Sequence, residues 1–194
     1  MNNPRAKHED REWICQTIDG DTESFGLLVR KYQDRLYNGM VQILRNESEA
    51  EDVVQDAFVL AFSKLDSFQG KSAFFTWLYR IAYNVAITRL RRRKRGVSLD
   101  GDDSRVRLDF PDSGPLPNDS IEKREEAIQL YDALDRLSSE HRSILVLREM
   151  EELDYDAIAE ILELPVGTVR SRLHRARIRL RELLEKVMNQ NSDG

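Results

Sequence analysis

A single cysteine, Cys15, stands in a chain of 194 residues, so no internal disulfide can staple the fold. Histidine is nearly as scarce. His8, His141 and His174 lie far apart, without a Cys or carboxylate cluster at metal-ligand spacing, and neither a metal nor any other cofactor is expected. Cys15 falls between Ile14 and Gln16 in a short amphipathic stretch and reads as a buried, inert thiol rather than a redox sensor. Nowhere do about 18 uncharged apolar residues follow one another, and the opening MNNPRAKHEDREWICQTIDG lacks the apolar run of a secretion signal. A cytoplasmic chain is expected. Strand signals are missing too, since no stretch alternates in a sustained way with Val, Ile and Thr. Converging His, Cys or carboxylate groups of the kind an enzyme pocket needs are also absent, so neither catalysis nor a small-molecule substrate is expected.

What the chain has in excess is charge. Asp, Glu, Lys and Arg make up 34% of it, above the roughly 25% of an average globular protein, while 40% hydrophobic content suffices for cores. The total is acidic, with 35 acidic against 30 basic residues, which taken alone argues against a nucleic-acid partner. The charge is segregated, however, and the segregation carries the information.

Breakers concentrate in one place. Pro111, Pro115 and Pro117 fall between Gly96 and Ser120, with Gly96, Gly101, Gly114 and six aspartates. On either side apolar residues recur at helical intervals. The expected fold is therefore all-α, with two small helical domains, 1–95 and 121–194, joined by a flexible acidic linker at 96–120. Helices are expected near 9–18, 22–45, 48–65 and 73–95, then near 121–137, 139–150, 154–162 and 166–187. Asp21 or Thr22, Ser48, Ser72, Ser138 or Ser139, and Asp154 are the expected N-caps.

The sharpest pattern is Asp154 to Leu180, DYDAIAEILELPVGTVRSRLHRARIRL. Ile158, Ala159, Ile161 and Leu162 mark the inner side of a first helix, Glu163-Leu164-Pro165 a turn, and Val169, Leu173, Ala176 and Leu180 one inward stripe of a second. Ala159 and Val169 have the spacing of a helix-turn-helix. Glu163 occupies a turn position often filled by glycine, where a left-handed backbone costs about 1 to 2 kcal/mol. Outward on the second helix lie Arg170, Arg172, Arg175, Arg177, Arg179 and Arg181, with no carboxylate between Val166 and Arg181. A solvated helix face normally carries Glu at i,i+4, so this one suits phosphates and base edges. The amides of Val166, Gly167 and Thr168 at its start can receive a phosphate. The candidate duplex-reading residues are Gly167, Thr168, Arg170, Ser171, Arg172, His174, Arg175 and Arg177. The preceding stretch, Glu149 to Glu163, holds seven carboxylates and no Lys or Arg, so it cannot lie on DNA.

The first domain carries a second pattern. In KLDSFQGKSAFFTWLYRIAYNVAITRLRRRKR, Lys64 to Arg95, aromatic residues crowd a loop and the helix after it, which ends in six basic residues out of seven. Phe74, Leu78, Ile81 and Val85 share a core stripe, while Thr76, Arg80, Tyr83, Ile87 and Arg91 share one mixing cation, ring and hydroxyl. Such a mixture suits single-stranded DNA, because each stacked base contributes about 1 to 3 kcal/mol and cations follow the backbone.

Three segments together, EAEDVVQDAFVLAFSKLDSFQG, SAFFTWLYRIAYNVA and DYDAIAEILELPVGTVRSRLHRAR, resemble the extracytoplasmic-function group of bacterial RNA polymerase sigma factors. The resemblance implies a subunit that directs core polymerase to promoters and opens the strands there. By that likeness Asp52, Gln55, Asp56 and Val59 dock on the clamp helices of the largest polymerase subunit, and the C-terminal domain meets the flap region. The loop Asp66 to Ser72 and the next helix capture the minus-10 strand, with Phe68, Gln69, Lys71, Ser72, Phe75, Tyr79, Arg80, Tyr83 and Asn84 as candidates, and the C-terminal helix reads the minus-35 element. Promoter DNA, core polymerase and an anti-sigma factor are the implied partners. A helix-turn-helix regulator that binds operators without polymerase is the alternative reading.

Overall fold

A computed structural model describes residues 4–100 and 129–192, with side chains from 8 to 93 and from 129 to 187. Every regular element among the described residues is helical. The chain divides into two compact units, one built on the helices before residue 101, the other on those after 128 up to Ile158 together with the last helix. The span 101–128, which holds most of the expected linker and the start of the expected helix at 121, lies outside the described residues.

The first unit contains α1 (Pro4–Ile18), α2 (Thr22–Leu44), α3 (Glu47–Ser63), a 3-10 turn (Leu65–Ser67) and α4 (Phe74–Asp100). The α1–α2 and α2–α3 connections are short and closed by local caps. Gly20, at φ 106, takes the left-handed turn after α1, and the Asp21 amide donates back to the Gln16 carbonyl at 2.9 Å. Asp21 then caps α2 by accepting from the Glu23 amide at 3.0 Å, as expected. The next junction departs from expectation. Arg45 is left-handed at φ 55, and Asn46, not Ser48, caps α3 by accepting from the Glu49 amide at 2.9 Å. Asn46 is the better cap because its short amide reaches the first-turn amides once Arg45 has reversed the chain. At α4 the first intrahelical bond runs from the Trp77 amide to the Ala73 carbonyl, so the N-cap position is Ala73 and Ser72 precedes it. The same helix continues past Arg95 to Asp100, five residues into the expected linker, since Gly96 alone costs only about 1 kcal/mol inside a helix of good formers.

Leu28, Leu36, Met40 and Ile43 of α2, Ala50, Val53, Ala57 and Ala61 of α3, and Leu78, Tyr79, Ala82 and Ala86 of α4 are all fully buried. Alanine supplies three of the five buried residues of α3, Ala50, Ala57 and Ala61, and such small side chains allow close helix approach. Helix α1 is fastened by polarity as well as by Ile14. The buried Asp10 carboxylate accepts from Lys31 Nζ at 2.7 Å and from the Tyr32 hydroxyl at 2.6 Å, while Lys31 also lies over the Trp13 ring. Burial, and then the bond to Asp10, hold the Tyr32 hydroxyl well above its ordinary pKa. Because Asp10, Ile14 and Thr17 take the inner face of α1, Cys15 is exposed, against the expectation of a buried thiol.

The second unit contains α5 (129–135), α6 (Ser139–Leu145) running on as a π turn (Val146–Met150), the start of α7 (Tyr155–Leu162) as far as Ile158, and α8 (Val166–Ser192), while Ala159–Leu164 group with the first unit. Ser138 caps α6 and Asp154 caps α7, the latter accepting from the Ala157 amide at 2.8 Å. The expected continuous helix 139–150 therefore ends in a widened turn, closed by Glu152 at φ 53 and by Arg148 Nη1 donating to the Leu153 carbonyl at 2.8 Å. Arg142 ends α5 by donating to the carbonyls of Leu134, Asp135 and Leu137. On α8, Val169, Leu173, Ala176, Leu183 and Val187 are buried in one stripe, with Leu180 half-buried.

Candidate nucleic-acid interface

The turn into α8 is built by backbone. Glu163 is left-handed at φ 54, and the Leu164 amide donates to the Ala159 carbonyl at 3.0 Å, the wide closing bond of a Schellman end. A glycine is therefore not needed for this turn, although the strain expected of Glu163 is present. Pro165 follows, and its carbonyl accepts from the amides of Thr168 at 2.8 Å and Val169 at 3.1 Å. The Thr168 amide is thus committed to the helix, and the first-turn amides left without an intrahelical acceptor are those of Val166 and Gly167.

With Val169, Leu173 and Ala176 inward, α8 exposes Gly167, Arg170, Ser171, His174, Arg175 and Arg177, while Thr168 and Arg172 are half-buried. For the stretch of α8 that has no carboxylate, Val166 to Arg181, partners come from its own Glu182, 2.8 Å from Arg179 Nη1, and from elsewhere in the unit. Arg177 donates from Nε at 3.0 Å and Nη2 at 2.6 Å to one oxygen of Glu149, and Arg172 Nη1 lies 3.4 Å from Glu140. Arg170 stands over the Tyr155 ring, 5.7 Å from its centroid. Sequence reasoning missed Glu140 and Glu149 because their partners lie 28 and more residues away, beyond any helical period. Arg170, His174 and Arg175 make the more open part of the cationic face.

In the first unit the loop after the 3-10 turn and the start of α4 divide the aromatic candidates into two sets. Phe75 is 5% exposed and Tyr79 0%, so neither offers a free ring face, and both are corrected from strand-stacking candidates to core. Phe75 stacks on Tyr32 at 5.4 Å under the Arg35 guanidinium at 4.1 Å, and Tyr79 packs edge-on to Phe75. Thr76 is buried too, which removes the hydroxyl from the mixed stripe, whereas Ile81 and Val85, expected in the core stripe, are only half-buried. The remaining set is accessible. Gln69, Lys71 and Asn84 are exposed, and Phe68, Ser72, Arg80 and Tyr83 are half-buried. Phe68 leans on Phe74 and on the half-buried Trp77 at 5.2 Å.

Two concavities sort these residues further. One, about 280 Å³, brings Phe68, Lys71 and Ser72 together with Asp10 and Arg11 of α1, a contribution the sequence did not signal. The other, about 410 Å³, lies between α3 and α4 and joins Asn84 to Lys64, Arg89, Arg92 and Asp56. The loop candidates and Asn84 therefore line different hollows.

On α3, Asp52, Gln55, Asp56 and Val59 are all exposed on one stripe, Val59 at 63%. Phe62 continues that stripe at 45% exposure and packs edge-on to Phe25 at 5.0 Å, so the apolar end is larger than expected. Its place three residues after Val59 was the available signal. Both aspartates are met by Arg89 of α4, at 2.8 Å from Asp52 and 2.6 Å from Asp56, and these bonds, Asp52's first, push the guanidinium pKa up.

Comparison with known proteins follows the same two-part division. Residues 28–96 match the family Sigma-70 region 2, and residues 127–180 match Sigma-70, region 4. The chain is similar to the ECF RNA polymerase sigma factor SigW of Bacillus subtilis, at 36% identity over 90% of this chain and 96% of that protein. It is similar to the ECF RNA polymerase sigma-E factor of Escherichia coli K12, at 39% identity over 87% of this chain and 90% of that protein. Among solved structures it resembles the sigma factor RpoE in complex with the anti-sigma factor NepR from Bartonella quintana, with a TM-score of 0.68 and 29% identity over 84% of this chain and 98% of that one. It also resembles CnrH in complex with the cytosolic domain of CnrY, with a TM-score of 0.64 and 28% identity over 92% of this chain and 98% of that one.

Proposed function

The chain belongs to the extracytoplasmic-function group of RNA polymerase sigma factors, and from that premise we propose how its residues divide the work of initiation. Residues 1–95 dock on core polymerase and hold the separated minus-10 strand, 96–120 tether, and 121–194 read the minus-35 duplex. The observation that carries this reading is the coexistence, in one chain, of an acidic and apolar stripe on α3 and a cationic outer face on α8.

Opening promoter DNA costs stacking of about 1.4 kcal/mol per base-pair step, so a subunit that promotes opening must bind the exposed strand better than the duplex. With Phe75 and Tyr79 in the core, Phe68 and Tyr83 remain as stacking surfaces, each worth about 1 to 3 kcal/mol per base. Gln69, Lys71, Ser72 and Asn84 supply hydrogen bonds to base edges or backbone, and Arg80 a cation. At the upstream end, α8 enters the major groove with Arg170, Ser171, Arg172, His174, Arg175 and Arg177 turned to DNA, and Gly167 and Thr168 beside a phosphate. Asp52, Gln55, Asp56 and Val59 meet the clamp helices of the largest polymerase subunit, and the C-terminal unit meets the flap. The chain itself catalyses no bond change and takes no cofactor. We place it in the cytoplasm, where polymerase works; no helix among the described residues is long and apolar enough to cross a membrane. An anti-sigma partner is part of the reading, supported by the neighbour RpoE, solved in complex with the anti-sigma factor NepR, and by CnrH, solved in complex with the cytosolic domain of CnrY.

The experiment is run-off transcription with sigma-free core polymerase on promoters enriched by the protein. Specific transcripts are expected; none, while another sigma factor works on its own promoter, would overturn the reading. Tight operator binding without polymerase would favour an ordinary helix-turn-helix regulator instead.

A further inference from the structure

The guanidinium of Arg89 spans from α4 to α3 and divides its fork between two carboxylates one turn apart. Nη1 lies 2.8 Å from Oδ2 of Asp52, and Nη2 lies 2.6 Å from Oδ2 of Asp56. A turn further along α4, Arg93 approaches Glu49 at 3.9 Å. Without these cations Glu49, Asp52 and Asp56 would set three like charges on one helix face, at i,i+3 and i,i+4 spacings where such charges repel. Arg89 takes a single oxygen of each aspartate, and the two side chains stay 59% and 53% exposed. The carboxylates are therefore oriented but still accessible. The same guanidinium also borders the hollow that holds Asn84 and Arg92.

We propose that Arg89 is a positioning residue for polymerase docking: it holds Asp52 and Asp56 in one fixed register for a cationic partner surface and ties that face to the helix carrying Tyr83 and Asn84. The inference rests on the assignment of the α3 stripe to polymerase. Its occupant is argued from charge and shape, since two oriented carboxylates beside exposed Val59 and Phe62 fit a surface of Lys or Arg next to an apolar patch. Arginine is required at this position. A lysine is a point charge and reaches one carboxylate at a time, whereas a planar fork serves two.

The test measures binding of the full chain to core polymerase by competition, for wild type, Arg89→Gln, Arg89→Lys, the Asp52→Asn/Asp56→Asn pair and the pair combined with Arg89→Gln. Arg89→Gln is expected to weaken binding about two- to fivefold, the scale of an exposed ion pair, and to have no further effect once both aspartates are neutral. Arg89→Lys should recover only part of the loss. Tighter binding by Arg89→Gln would mean that the arginine competes with polymerase, and it would overturn the proposal. So would an unchanged affinity, or the same loss in the Asp52→Asn/Asp56→Asn background. If Arg89→Gln fails to fold, Arg89→Lys decides: wild-type affinity counts against the proposal and a partial loss for it. Failure of the wild-type chain to bind core polymerase is a separate outcome, which removes the docking assignment itself.

Discussion

Replacing Glu149 by glutamine should strengthen binding to minus-35 duplex. In the free chain both donors on one edge of Arg177, Nε and Nη2, are committed to a single Glu149 oxygen at 3.0 and 2.6 Å. A phosphate can engage that edge only after the pair breaks. Both side chains are about half exposed, 49% and 51%, so the pair is an ordinary surface ion pair worth about 0.2 to 1 kcal/mol. Releasing it should raise duplex affinity roughly 1.4- to fivefold, and removing a carboxylate close to the DNA adds in the same direction. Screening sets a check on the cause, because the gain should shrink as the Debye length falls from about 30 Å at 0.01 M salt to about 10 Å at 0.1 M. The assay is holoenzyme binding to a promoter across that salt range, alongside a thermal melt in which Glu149→Gln should cost less than about 1 kcal/mol. A loss of affinity, or a gain indifferent to salt, would mean that Glu149 orients Arg177 for DNA instead of restraining it.

Other outcomes follow from the same geometry. Arg170→Ala with Arg172→Ala should weaken minus-35 recognition while leaving core binding intact; a loss of core binding in a pull-down would mean that α8 has been misassigned. Asp10→Ala removes the buried acceptor shared by Lys31 and the Tyr32 hydroxyl, Lys31 keeping Glu9 at 3.5 Å, and by chemical denaturation it should cost about 1 to 3 kcal/mol. Asp21→Ala should lower the melting midpoint near neutral pH. The bond from Ser24 holds the Asp21 carboxyl below its ordinary pKa, so the cap's contribution is present above the unfolded value of about 3.9 and lost as pH falls through the lower folded value. The gap between Asp21→Ala and wild type should therefore close on acidification, and a gap that widens would contradict the assignment.

Much of the architecture was legible because it depends on local rules. The stripe Val169, Leu173, Ala176 gives α8 its inner face whatever surrounds it, and Asp21, Ser138 and Asp154 cap their helices within a few residues of chain. What was not legible depends on tertiary neighbours. Phe75 and Tyr79 have the composition of strand-stacking rings, but Tyr32 and Arg35 from α2 enclose one of them, and the resulting burial leaves no face for a base. The partners of the cations were hidden for the same reason: Arg89 to Asp52 and Asp56, and Arg177 to Glu149, are contacts between helices, invisible to a period of 3.6. Asn46 displaced Ser48 as a cap because the left-handed Arg45 set the helix start two residues earlier than the hydroxyl suggested.

The most direct measurement follows base unstacking at minus 10 by fluorescence while core polymerase and the full chain engage a promoter, comparing wild type with Phe68→Ala and with Arg170→Ala. Phe68→Ala should slow opening at unchanged upstream occupancy, and Arg170→Ala should reduce occupancy at unchanged opening per bound complex. The reverse pattern, or opening that ignores Phe68, would contradict the division of labour between the two units.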